Sequence, residues 1–257
     1  MLRRMWGELC RAAGWLHGVA IVHRDIKLES KCTFSEVNLA NEYTDILLTT
    51  NPFLRSDPID VEALPVPFVK LTDFGLARFI DVSQPMLTTR CGSESYAAPE
   101  IVTGSSYDGR QTDAWACGIV LYALAVRSLP FDAKVTDTGH GARRRYLVRI
   151  AKGEYTWPPE AKLATSDLRK VVARLLVRDP NKRAKIVDLW DEEFMRGTGS
   201  PSPPWRIDAR RKRAAANEVA GGETIIDEVP EESEDDYGGG MLVDAHDIDS
   251  IASQELL

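Results

Sequence analysis

The five residues His23-Arg24-Asp25-Ile26-Lys27 put a carboxylate and an ammonium two positions apart, and a second carboxylate follows in Asp73-Phe74-Gly75. Phosphoryl transfer is the chemistry such a set could perform. It needs little covalent help, so a protein accelerates it by positioning groups and stabilising charge. One carboxylate must orient the attacking hydroxyl and accept its proton, a role open to Asp25. A cation two residues on, Lys27, could meet the transferring phosphoryl group. Another carboxylate must hold Mg²⁺ against the triphosphate, because Mg²⁺ takes one or two protein carboxylates together with phosphate oxygens. Asp73 is the candidate. The plain alternative is that each Asp caps a turn at the surface.

Three further strings follow in order: Ala98-Pro99-Glu100, Asp113-Ala114-Trp115-Ala116-Cys117-Gly118 and Asp179-Pro180-Asn181-Lys182-Arg183. Any one of these short strings recurs by chance. In this order and at this approximate spacing, residues 1–195 resemble the eukaryotic protein kinase family. Lys27 is similar to the lysine of its serine/threonine type, and Leu87 to Ser93 resembles the calcium/calmodulin-dependent-kinase-like group. The resemblance implies an α+β fold, a kinase C-terminal lobe that is mainly α-helical with a few short strands, with the N-terminal β lobe absent. It also implies ATP and Mg²⁺ as cofactors and a protein or peptide with serine or threonine as substrate.

The resemblance assigns catalytic roles to Asp25 and Lys27 and a metal-binding role to Asp73. Thr89 matches an activation-loop phosphosite served by an upstream activating kinase, and Arg24 is the residue to pair with its phosphate. Ser93 matches the residue that meets the catalytic Asp and Lys. Glu29 resembles an acidic position that reads basic residues in the substrate, with a plain solvated charge as its alternative. His23, Phe74, Gly75, Glu100, Asp113 and Arg183 are structural matches. Among them, Asp113 is expected to brace the catalytic loop and Glu100 to pair with Arg183. Trp115 belongs to the core, and Val19-Ala20-Ile21-Val22 only imitates a phosphate-binding strand.

Two departures stand out. No G-x-G-x-x-G loop, phosphate-binding strand lysine or partner glutamate for that lysine occurs in these 257 residues, so the chain by itself is expected to bind ATP very poorly. At the family's second metal-binding position, usually Asn, this chain has Ser30, a weak Mg²⁺ ligand, followed by an unusual insertion over 31–44. The insertion is expected to be a retained intron. Ser30-Lys31-Cys32 can be encoded with a splice-donor sequence, Leu39-Ala40-Asn41 with a branch point and Thr44-Asp45 with an acceptor. Excision keeps the frame and fuses the ends of codons 30 and 45 into an Asn codon. A true insertion is the alternative. Two functions therefore compete: phosphorylation of protein serine or threonine, and a non-catalytic, pseudokinase-like scaffold or binding module. Intact Asp25, Lys27 and Asp73 favour the first; the missing phosphate-binding parts and Ser30 favour the second.

These residues need elements to hold them. Leu2, Met5, Trp6, Leu9, Ala12, Ala13 and Leu16 recur at helical spacing, with Arg3, Arg4, Glu8 and Arg11 between them. Ile46-Leu47-Leu48 and Phe68-Val69-Lys70-Leu71 read as short strands flanking the Asp73 loop. Residues 113–126 form an apolar helix. Leu168, Val171, Val172, Leu175 and Leu176 mark another, with Thr165 or Ser166 as its N-cap. The lobe is expected over 1–196. The acidic tail 197–257 has too few large apolar residues to offset its ordering entropy and reads as disordered. Its apolar end around Met241, Leu242, Val243 and Ile248 is either a docking motif or plain solvated chain.

The formal charge of −7 is unevenly spread: residues 214–257 hold thirteen Asp or Glu and no Lys or Arg, leaving residues 1–213 at about +6. The positive charges of the body are scattered without interleaved aromatics, so no nucleic-acid partner is expected. No apolar run approaches the ~20 residues of a membrane span, and none is expected to meet a membrane. Cys10, Cys32, Cys91 and Cys117 form no C-x-x-C pair and read as free thiols in a reducing compartment. The expected location is cytoplasmic or nuclear. Arg210-Arg211-Lys212-Arg213 is either a nuclear-localisation cluster or solvated charge.

Overall fold

Helix α1, Leu2–Gly18, is the amphipathic start of the chain. The computed structural model describes residues 1–28, 46–50, 60–61, 63–131 and 141–196. Glu29, Ser30, the insertion 31–44 and the tail 197–257 lie outside them. Trp6, Leu9, Cys10, Ala13 and Leu16, three or four residues apart, bury one face of α1. Arg4 and Glu8 depart from the amphipathic pattern, because both are buried. The Glu8 carboxylate accepts the backbone N–H groups of Phe68 at 2.6 Å and Val69 at 2.8 Å. Arg4 offsets its charge and donates to Pro65 O at 3.1 Å. A buried carboxylate persists only with such partners, so this pair pins α1 to the approach to the Asp73 loop.

Among the described residues, six short strands make three two-stranded antiparallel ribbons. β1 (Ile21–Val22) pairs with β4 (Arg78–Phe79) in the register Ile21↔Phe79. β2 (Ile46–Leu48) pairs with β3 (Val69–Leu71), setting Ile46 opposite Leu71. β5 (Met86–Leu87) pairs with β6 (Tyr107–Asp108). The two strands read from the sequence are β2 and β3. The other four are two residues long, too short for an alternation of apolar and polar residues to register.

The body is helical. α2 (Pro99–Val102) starts on Pro99, whose missing N–H costs nothing in a first turn. α3 (Gly109–Val126) begins four residues before the expected start. Asp108 caps it, accepting the backbone N–H of Arg110 at 2.9 Å. α3 is buried around most of its circumference and forms the axis of the core, with Trp115 stacked on Phe131 at 5.5 Å. α5 (Ser166–Leu175) packs against it, and α4 (Ala142–Lys152) packs against α2. α5 buries Leu168, Val171, Val172 and Leu175, as its periodicity predicts. α3 and α5 meet at Gly118, where an added Cβ would lie 2.8 Å from that of Leu175. Thr165 occupies the N-cap position of α5 but makes no side-chain cap. Its hydroxyl serves Asp167 instead, a bond that holds the Asp167 carboxyl below its ordinary pKa. Among the described residues no helix is long and apolar enough to cross a membrane.

Candidate active site

The loop after β1 turns on Arg24, whose φ of 69° lies in the left-handed region that a residue with Cβ disfavours. Such backbone persists only where the surroundings over-determine it. Asp113, in the second turn of α3 and 1% exposed, supplies that constraint. Its Oδ2 accepts the N–H of His23 at 2.9 Å and its Oδ1 that of Arg24 at 2.8 Å. His17 Nε2 meets the same carboxylate at 2.9 Å. Two backbone donors on one buried acid fix the direction in which the next residue, Asp25, leaves the loop.

Both oxygens of Asp25 are held. Lys27 Nζ lies 2.6 Å from Oδ2, and the backbone N–H of Ser93 donates to Oδ1 at 2.7 Å. The segment carrying Ser93 comes this close because Gly92, at φ 98°, has no side chain: an added Cβ would sit 2.5 Å from Arg24 O. Tyr96 adds a tie that the sequence did not reveal. Its hydroxyl donates to Leu28 O at 2.6 Å and accepts from Leu28 N at 3.0 Å. Ser93 meets Asp25 through its backbone N–H.

The Asp73 loop joins this assembly through His23. The buried His23 ring places Nε2 2.9 Å from Thr72 O and its centroid 5.1 Å from that of Phe74. Asp73 is also left-handed, at φ 56°, and exposed. Its Oδ1 accepts the N–H of Gly75 at 3.3 Å. Arg24 reaches the same loop, donating from Nε to Leu76 O at 2.6 Å, while its buried Nη1 makes no hydrogen bond among the described residues.

Thr89 is exposed, and its carbonyl accepts the hydroxyl of Tyr107 at 2.6 Å. Tyr107 is buried, and burial first, then the neighbouring Cys91, pushes its phenol up to about 12. Arg24, near enough to act on the same phenol, pulls it the other way. Tyr107 thus links Arg24 to the backbone of Thr89. No signal in the sequence marks Tyr107 or Tyr96, since each works through partners distant along the chain. Burial also raises the Cys91 thiol, with Arg24 pulling the other way.

Glu100 and Arg183 form a buried bidentate pair, at 2.6 and 2.9 Å. Arg183 also donates to Gln111 O at 2.8 Å and lies 5.0 Å over the Trp115 ring. This pair ties α2 to the end of the helical body and stands apart from Asp25. Glu29 and Ser30 are outside the described residues.

The protein kinase domain family matches residues 43–195. The chain belongs to the protein kinase family. It is similar to the serine/threonine-protein kinase PRR1 of Saccharomyces cerevisiae, 34% identical over 196 residues, which cover 76% of this chain and 35% of that protein. CBL-interacting protein kinase 16 of Oryza sativa subsp. japonica is 32% identical, covering 78% and 36%. An SNF-related serine/threonine-protein kinase of Rattus norvegicus is 30% identical, covering 79% and 22%. The chain spans about a third or less of the length of these curated kinases. It is of the serine/threonine, calcium/calmodulin-dependent-kinase-like type. The kinase-family match starts at residue 43, so His23, Arg24, Asp25 and all but the last two residues of the insertion precede it.

Proposed function

We propose that the protein containing this chain transfers the terminal phosphoryl group of ATP to serine or threonine hydroxyls of other proteins. The observation that carries this reading is Asp25: one carboxylate with Lys27 on one oxygen and Ser93 N on the other, set on a left-handed loop braced by Asp113. A carboxylate fixed at both oxygens can orient a hydroxyl and take its proton without reorganising, which is the contribution phosphoryl transfer asks of a protein. Lys27, beside Asp25, can balance charge on the group being transferred.

The donor chemistry of Asp73 fits Mg²⁺. Asp73 offers an exposed carboxylate of hard oxygens, and Mg²⁺ prefers such ligands alongside phosphates. When bound, Mg²⁺-ATP supplies the phosphoryl group and neutralises its oxygens. The residues that would cover the phosphates do not occur in these 257 residues. In the same reading Thr89 receives phosphate from an upstream kinase and Arg24 receives that phosphate in turn. Exposure of Thr89, and the hydrogen bond from Tyr107, near Arg24, to its carbonyl, support it. The competing scaffold reading draws on Ser30 in place of the usual Asn.

Asp25→Asn in the full gene product tests the proposal. Radiolabelled phosphate transfer to a serine/threonine peptide is expected to fall by about 10²–10⁴-fold, the usual contribution of a positioned base. A rate near wild type would reject the role of Asp25 and favour the scaffold.

A further inference from the structure

The three residues Arg143, Arg144 and Arg145 are consecutive and exposed at the start of α4. No other run of three cations occurs among the described residues. Arg143 pairs with Glu94 at 2.6 Å, yet its side chain stays 56% exposed. A guanidinium carries five donors, so one carboxylate does not exhaust it. The same chain carries the opposite charge in concentrated form. Residues 227–236 hold seven acidic side chains in ten positions, and no Lys or Arg follows residue 213.

We propose that Arg143, Arg144 and Arg145 form a docking surface for the chain's own acidic segment, residues 227–236. Charge complementarity identifies the occupant, and covalent connection favours it over an acidic protein from solution. Asp227 is thirty-one residues beyond Arg196, the last described residue. A connection of that length spans up to roughly 100 Å, while a lobe of this size is about 40 Å across. Reach is therefore no obstacle. A segment so tethered faces the surface at an effective concentration on the order of millimolar, enough for several exposed ion pairs that are individually weak. The docked segment would lie beside Glu94, next in sequence to Ser93, whose N–H meets Asp25.

The test is a binding measurement that needs no catalysis. A fluorescein-labelled peptide of residues 223–240 is titrated into the 257-residue chain and followed by anisotropy at low and high salt. The wild-type chain is expected to bind it weakly, since its own segment occupies the surface. Neutralising that segment (Glu231→Gln, Glu232→Gln, Glu234→Gln, Asp235→Asn, Asp236→Asn) is expected to tighten capture by about tenfold, with the gain lost at high salt. Adding Arg143→Glu, Arg144→Glu and Arg145→Glu to the neutralised chain is expected to abolish capture. Acidic residues are favoured in a first helical turn, so α4 should tolerate the change. The milder Arg→Gln triple variant, expected to weaken capture by about tenfold, decides if the reversed chain fails to fold. Equal binding by the wild-type and neutralised chains would overturn the proposal. So would capture that survives the arginine changes, which would place the anchor elsewhere, for example at Arg210-Arg211-Lys212-Arg213.

Discussion

Asp113 and Asp73 are both acids beside the His23-Arg24-Asp25 loop, and their surroundings differ in every respect. Asp113 is almost fully buried, and its two oxygens are occupied by the N–H groups of His23 and Arg24 and by His17. Asp73 is exposed, and its Oδ1 accepts one long hydrogen bond from a residue two positions away. A buried carboxylate whose oxygens serve internal partners holds the loop and is out of a ligand's reach. One turned to solvent on strained backbone contributes little to folding and keeps its oxygens available. Asp25 stands between them, with two internal contacts that fix its direction.

The largest expected effect follows from that contrast. Asp113→Ala leaves two backbone donors and His17 without their acceptor, and is expected to cost about 3–5 kcal/mol in chemical denaturation of the chain. Asp73→Asn is expected to change stability by less than about 0.5 kcal/mol. If Asp73→Asn destabilised as much as Asp113→Ala, the division into a structural and an available acid would fail.

The comparison can be sharpened at Ser30, the other residue offered for metal binding. Residues 31–44 lie outside the described structure, and the kinase-family match begins at 43, near their end. If the interval is a retained intron, sequencing mature transcripts across codons 25–50 is expected to find it removed and Asn encoded in place of Ser30. In the protein, making that Asn and deleting 31–45 shortens the connection from Leu28 to Ile46. Lower loop-closure entropy is then expected to add on the order of 1–2 kcal/mol. Transcripts that consistently retain the interval would leave Ser30 as the working residue.

What could be read in advance depended on how local its cause was. The catalytic-loop string, Asp73-Phe74-Gly75 and the periodic faces of α1 and α5 are contiguous or regularly spaced, so the sequence carries them openly. Arg4 and Glu8 looked like ordinary outer-face charges of α1. Their burial depends on Pro65, Phe68 and Val69, some sixty residues away. Tyr96 and Tyr107 were invisible for the same reason. Each acts by placing one hydroxyl against a backbone group that only the folded chain brings near. The early start of α3 is marked only by Asp108-Gly109, a cap signal, whereas the apolar run beginning at Asp113 is the stronger local pattern.

The smallest expected effect concerns that second tyrosine and the link between Arg24 and Thr89. Burial raises the Tyr107 phenol to about 12 in the folded chain, against about 10 for an unfolded tyrosine. Between these values the unfolded chain loses the proton first, so it binds fewer protons than the folded one and stability falls as pH rises. The contribution is complete below about pH 10 and gone above about pH 12. Tyr107→Phe removes this titration together with the hydrogen bond to Thr89 O. The variant should be less stable than wild type at neutral pH by about 1 kcal/mol, and the deficit should shrink as pH climbs from 10 to 12. Parallel urea denaturation of both chains at several alkaline pH values measures it. A deficit that stayed constant across this range would mean that the phenol is not held protonated by its surroundings, and that Tyr107 supports the Thr89 segment by packing alone.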